Sequence, residues 1–128
     1  MRYLLDTHTV LWFFHESKKL PRATYHSILD PSSEKYVSIV SAWELAIKIG
    51  KKTIDFDGGV SEFFRMVDEN GFELLPVRRE HIKTLETLPL LHKDPFDRLL
   101  IATAMVENLT LLTADESIHK YDVPWIWM

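Results

Sequence analysis

The 128-residue chain has no cysteine. This excludes disulfides, thiolate metal ligands and a cysteine nucleophile, and fits a cytoplasmic protein. Long apolar runs are missing too, and none approaches the roughly 18 residues needed to cross a bilayer, so no membrane role is expected. There are no internal repeats, low-complexity tracts or long linkers, and the only loose stretch is "KKTIDFDGG" (51–59). The opening "MRYLLDTHTVLWFF" carries an aspartate inside its apolar run and lacks a small-residue cleavage site, so it reads as a first strand and helix rather than a signal peptide. Positive charge is also scarce, because the net charge is −4. At first sight that argues against a nucleic-acid partner. If four of the acids surrounded a cation, however, the rest of the chain would be neutral, and a phosphodiester could still be held locally.

What is present is globular. Hydrophobic residues make up 46% and charged residues 27%, proportions that suit a single domain over 1–128 with a real core. Strands are expected at "RYLLD" (2–6), "KYVSIV" (35–40), "FELLPV" (72–77), "TLLTA" (110–114) and "VPWIWM" (123–128). Between them, helical spacing runs through "HTVLWFFHE", "LPRATYHSILD" (20–30), "SAWELAIKIGKK" (41–52), "GGVSEFFRMVDENG" (58–71), "RREHIKTLETL" and "PFDRLLIATAMVENL" (95–109). A short helix at "DESIHKY" follows the fourth strand. The 95–109 helix is apolar on most faces and should be central. Strands alternating with helices imply an α/β fold with a mainly parallel sheet, in which ligands collect beyond the carboxyl ends of the strands.

Four acids fall near that edge. Asp6 closes the first strand, Asp115 follows "TLLTA", and Glu44 lies in the first turn of the helix after "KYVSIV". Asp97 opens the central helix, with no strand just before it. Each has a plain alternative. "SAWE" (41–44) is Ser-x-x-Glu, a capping-box signature, and "DPFD" (94–97) and "TADE" (113–116) take the same form. Asp94 suits an N-cap, with Pro95 at the first helical position and Asp97 near the positive end of the helix dipole. Asp6 is harder to explain by capping, since an acid ending a buried strand is costly unless paired or bound to a cation. A cluster of such carboxylates is unfavourable unless something binds it, and hard oxygen donors suit Mg²⁺ or Mn²⁺ rather than zinc.

The motifs "LLDTHTVLW", "SAWELAIK", "HKDPFDRLLIATA" and "LLTADESI" occur in this order over nearly the whole chain. Together they resemble the PIN-domain family, in particular the VapC-like toxin ribonucleases of toxin–antitoxin pairs. The resemblance implies a three-layer α/β/α PIN-like fold and Mg²⁺- or Mn²⁺-dependent RNA cleavage. It also implies a small antitoxin partner and a homodimer. By the same resemblance the metal-holding, catalytic quartet is Asp6, Glu44, Asp97 and Asp115. The family's third acid opens a helix and precedes an apolar, alanine-containing run, which "DRLLIATA" matches from Asp97, leaving Asp94 as the helix cap.

Other residues invite two readings. Thr7, Ser41 and Thr113 stand beside quartet members and either serve the site or cap and turn the chain. Arg98 contacts phosphate or antitoxin, or pairs with a neighbouring acid. Lys48, Lys51 and Lys52 form a basic helix end that suits the helix dipole first and RNA backbone second. The six histidines show no metal-ligand spacing, although His8 is close to Asp6. Trp12, Phe13, Phe14, Trp125 and Trp127 read as core or as an interaction face. PIN-like domains that process RNA without an antitoxin share the same acids, whereas intact acids at all four motif positions argue against a PIN-like domain kept only for binding. A haloacid-dehalogenase-like phosphatase also starts with a strand ending in aspartate, but His8 stands where its second aspartate belongs.

Overall fold

A computed structural model describes residues 1–128. Its strands are β1 (Arg2–Leu5), β2 (Glu34–Ser38), β3 (Glu73–Leu75), β4 (Thr110–Leu112) and β5 (Trp125–Ile126). Its helices are α1 (Thr7–Phe14), α2 (Arg22–Leu29), α3 (Ile39–Gly50), α4 (Gly59–Glu69), α5 (Arg79–Thr87), α6 (Pro95–Glu107) and α7 (Glu116–His119). The five strands pair in the order β3-β2-β1-β4-β5, and every pairing is parallel. The expected α/β architecture is therefore observed, with a sheet that is parallel throughout.

Side-chain alternation along the strands builds the three layers. Leu5 lies opposite Val37 and Leu112, and all three enter one core with Val10 and Phe13 of α1, Ile28 of α2, and Phe63 and Val67 of α4. Leu4 lies opposite Tyr36 and Leu111, and these enter a second core with Leu100, Ile101 and Ala104 of α6 and Ile118 of α7. Helix α3 serves both, placing Ala42 and Leu45 in the first core and Val40 in the second. Residues Leu99 through Ala104 of α6 are all buried, as its nearly all-round apolar sequence requires.

The main departure from expectation is the β2–α3 junction. "KYVSIV" reads as strand to Val40, but the strand stops at Ser38, whose Oγ accepts the Val40 N–H at 3.0 Å and caps α3. The β-branched Ile39 and Val40 begin a helix because burial, not propensity, decides their conformation. Two consequences follow. Ser41 is inside the helix and cannot be its cap, and Glu44 lies in the second turn rather than the first.

Helix α6 is held against α5 by a compact polar contact. The Arg78 N–H donates to His81 Nδ1 at 3.0 Å, which leaves the proton on Nε2 to face Glu107 Oε2 at 2.7 Å. Arg78 Nη1 donates to the same oxygen at 2.6 Å. The His81 bond and the Arg78 guanidinium hold the Glu107 carboxyl below the usual range, while His81 itself is fully buried. His81→Ala should therefore destabilise the fold by about 2–4 kcal/mol in urea denaturation, by opening a void and orphaning the Arg78 N–H. For Glu107→Gln, the loss should be present at neutral pH and should shrink below about pH 4. A depressed carboxyl contributes stability above its unfolded pKa and loses it on protonation.

Candidate active site

The strand order creates a switch point. From β1 the chain builds outward through β2 and β3, then returns to the other side of β1 with β4 and β5. The crevice beyond the carboxyl ends of β1 and β4 is where such sheets hold ligands, and Asp6 and Asp115 follow those two strands. Asp6 caps α1, with Oδ1 accepting the Thr9 N–H at 2.9 Å, and Oδ2 accepts the Thr113 hydroxyl at 2.5 Å. Burial raises the Asp6 carboxyl above its ordinary range despite these bonds. Asp115 caps α7 through Oδ1, which accepts the Ser117 N–H at 2.8 Å, so Oδ2 is left to face the crevice. Fully buried Thr113 ties the two together, since its oxygen also accepts the Asp115 N–H at 3.1 Å.

Asp94 and Asp97 divide their roles. Asp94 caps α6, its Oδ1 accepting the Phe96 N–H at 2.8 Å and the Asp97 N–H at 3.3 Å, with Pro95 at the helix start. In a reciprocal capping box Asp97 would accept the Asp94 N–H, but that donor goes to His92 Nδ1 at 3.3 Å. The Asp97 carboxylate turns instead to His92 Nε2, 2.9 Å from its Oδ2, and the same nitrogen lies 3.0 Å from Asp115 Oδ2. With Nδ1 accepting, the proton sits on Nε2 and is shared by the two carboxylates.

Ligand atoms of His92, Asp97 and Asp115 all lie within 4.8 Å of one another. Asp6 and Glu44 stand outside this tight set. Glu44 is 2% exposed; its Oε1 accepts the Thr7 hydroxyl at 2.7 Å and its Oε2 pairs with Lys48 Nζ at 2.6 Å. Thr7 Oγ1 is also 2.9 Å from Ser41 Oγ. Of the hydroxyls flagged by the sequence, Thr7 and Thr113 thus bind the acids directly, and Ser41 meets Glu44 only through Thr7.

Lys48 belongs to this site and not to a free basic helix end. Burial pulls its ammonium down, but the Glu44 bond and the charges of Glu44, Asp94 and Asp97 outweigh burial and keep it protonated. Arg98 pairs with no acid; its guanidinium donates to the carbonyls of Leu85 and Leu88 at the end of α5. His92 was missed by sequence reasoning, which sought histidines paired one helical turn apart. Its signal was position: it stands two residues before the cap of a Pro-started helix, where a ring nitrogen can meet the cap's own N–H.

Asp97 carries the electrostatic strain. Burial and then the charges of Asp94, Asp6, Glu44 and Asp115 push its carboxyl up to about 8. Asp115 is also raised by burial, but the Ser117 N–H and His92 outweigh that and hold it low. The upward shift falls on Asp97 because it is the more buried of the two. The donor set fits a hard divalent cation, since several carboxylates converge with too little positive charge to balance them. The His92 Nε2 proton lies between Asp97 and Asp115, two of the carboxylates that would hold such a cation.

Comparison with known proteins agrees with this fold. The PIN domain profile matches residues 3–124, and the chain belongs to the PIN-domain family. No curated protein sequence matches it at a significant level. Among solved structures it is similar to VapBC2 from Rickettsia felis, bound to a DNA fragment from their promoter, at a TM-score of 0.73 and 16% identity, covering 98% of each chain. It is similar to VapBC-1 from nontypeable Haemophilus influenzae at a TM-score of 0.65 and 17% identity, covering 98% of this chain and 97% of that one. VapBC-5 from Mycobacterium tuberculosis, of the VapBC family of toxin-antitoxin systems, gives 0.63 and 18%, covering 99% and 98%. At these identities the likeness is one of fold.

A raised carboxyl binds its proton in the folded chain at pH values where the unfolded chain has released it. Through Asp97, surrounded by Asp6, Glu44, Asp94, Asp115, His92 and Lys48, stability without metal should therefore fall as pH rises from about 4 to about 8. In EDTA, Asp97→Asn should unfold at a higher temperature than the wild type at pH 8, and the difference should shrink at pH 5. Equal melting temperatures at both pH values would contradict the strain assigned to this carboxyl.

Proposed function

We propose that this PIN-domain protein is a metal-dependent endoribonuclease and the toxin of a toxin–antitoxin pair. The observation that carries the reading is the convergence of Asp97 and Asp115, with Asp6 and Glu44 behind them, at the switch point of the sheet. Asp6, Glu44, Asp97 and Asp115 would hold Mg²⁺ or Mn²⁺ and serve as the catalytic set. A bound divalent ion supplies charge to the phosphodiester and makes water acidic enough to attack it near neutral pH.

The chain's own residues set the conditions for that chemistry. Thr113 fixes Asp6 and the Asp115 turn in one arrangement, and Thr7 with Lys48 fixes Glu44. His92 holds a proton at Nε2 between Asp97 and Asp115. Water adds to phosphorus as the bond to the leaving oxygen breaks, and that oxygen takes up a proton; no covalent bond to the protein is needed.

Similarity to VapBC complexes supports a small antitoxin as partner, and the family supports RNA as substrate. A homodimer, a cytoplasmic location and a single nuclease domain over 1–128 complete the proposal. No helix is long and apolar enough to cross a membrane.

The test begins without knowledge of the RNA. Mn²⁺ at 100 times its Kd should stabilise the wild type by about 2.7 kcal/mol in thermal unfolding. Asp97→Asn should lose most of this gain, whereas Asp94→Asn should keep it, because asparagine still caps a helix. Mn²⁺-dependent cleavage of single-stranded RNA should disappear with Asp97→Asn and with EDTA. An equal Mn²⁺ gain in all three proteins would remove Asp97 from the cation site.

A further inference from the structure

A cavity of about 250 Å³ opens between the acids and the aromatic end of α1, lined by Asp6, His8, Trp12, Ala114 and Asp115. Its lining combines two chemistries. Asp6 and Asp115 supply carboxylates, and the His8 imidazole and Trp12 indole supply ring surface. The rings sit 5.8 Å apart and tilted by 34°, too close for a third ring between them, so a guest would stack on their cavity side.

The indole is well supported. Trp127, beyond the last strand, packs against it at 5.8 Å, and Lys19 Nζ lies 5.9 Å from its ring centre. Trp12 is half-buried while His8 is exposed, so the pair has a fixed member and an adaptable one.

We propose that this cavity is a nucleobase subsite, in which the base beside the scissile phosphodiester stacks on Trp12 and His8 while its phosphate lies toward the acids. The proposal rests on the ribonuclease reading above and goes beyond it by naming positioning residues for the RNA. Aromatic surface together with cation-holding carboxylates fits a nucleotide, which is flat and apolar at one end and anionic at the other. Lys19, whose Nζ lies 5.9 Å from the Trp12 ring centre, would meet the neighbouring backbone phosphate. Stacking of this kind tolerates any base, since every base offers a π-face.

The test measures binding of a short, fluorescein-labelled, all-phosphorothioate single-stranded RNA by anisotropy in Mn²⁺. Wild type, Trp12→Leu, Trp12→Phe and His8→Ala are compared, with the Mn²⁺ thermal shift of each as a check on fold and cation site. Trp12→Leu should bind about ten- to a hundredfold more weakly, and Trp12→Phe should stay close to wild type because it keeps a stacking face. Unlabelled RNA should quench tryptophan emission in the wild type, and Trp12→Phe should lose most of that quench. If Trp12→Leu does not fold, His8→Ala, at an exposed position, and the quench in Trp12→Phe decide the matter. RNA binding unaffected by all three substitutions would overturn the subsite and leave the nuclease reading standing. A wild type that binds Mn²⁺ through Asp97 but no RNA would overturn both.

Discussion

Repulsion among carboxylates that the fold brings to one edge of its sheet is the constraint the rest of the site answers. Asp97 feels Asp94, Asp6, Glu44 and Asp115 at once, and burial removes much of the water that would screen them. A chain that merely needed stability would scatter these charges. Here the frame beneath them is spent on keeping them together. Two cores grip the sheet from opposite faces, the best-buried stretch of α6 lies directly behind Asp97, and threonine hydroxyls lock the orientation of Asp6 and Glu44.

The neutralisation supplied by the chain itself is uneven. Lys48 balances Glu44, and Thr113 and Thr9 satisfy Asp6 with neutral donors. The Asp97–Asp115 pair has only the His92 proton between it. Electrostatic demand is therefore greatest at one side of the cluster, and a cation would gain most there. The division of labour between Asp94 and Asp97 has the same logic. One carboxylate is committed to backbone N–H groups, which frees the other, three residues on, from any structural duty.

Much of this was legible in the sequence, for identifiable reasons. Alternating strands and helices with acids at strand ends define a parallel sheet with a loaded carboxyl edge, and the PIN-family resemblance named the same four acids. The β2–α3 boundary was not legible, because Ile39 and Val40 look like strand while Ser38, a less conspicuous residue, starts the helix. That error made Ser41 and Glu44 look like a capping box, whereas tertiary contacts with Thr7 and Lys48 define Glu44. The role of His92 was hidden because its partners come from α6 and from the turn after β4. Spacing along one element cannot reveal a contact made across three.

The register of β1 has a consequence that reaches the chemistry. Leu4 points into one core and Leu5 into the other, and Asp6 follows at once. A slip by one residue would send each leucine to the wrong face and carry the carboxylate about 3.3 Å along the strand. Packing thus acts as a ruler for the site. Drift in the short segment between Tyr3 and Asp6 is opposed by two hydrophobic cores before any loss of activity comes into play. The position of the first acid is inherited from ordinary folding energetics, and the crevice above it remains free to change.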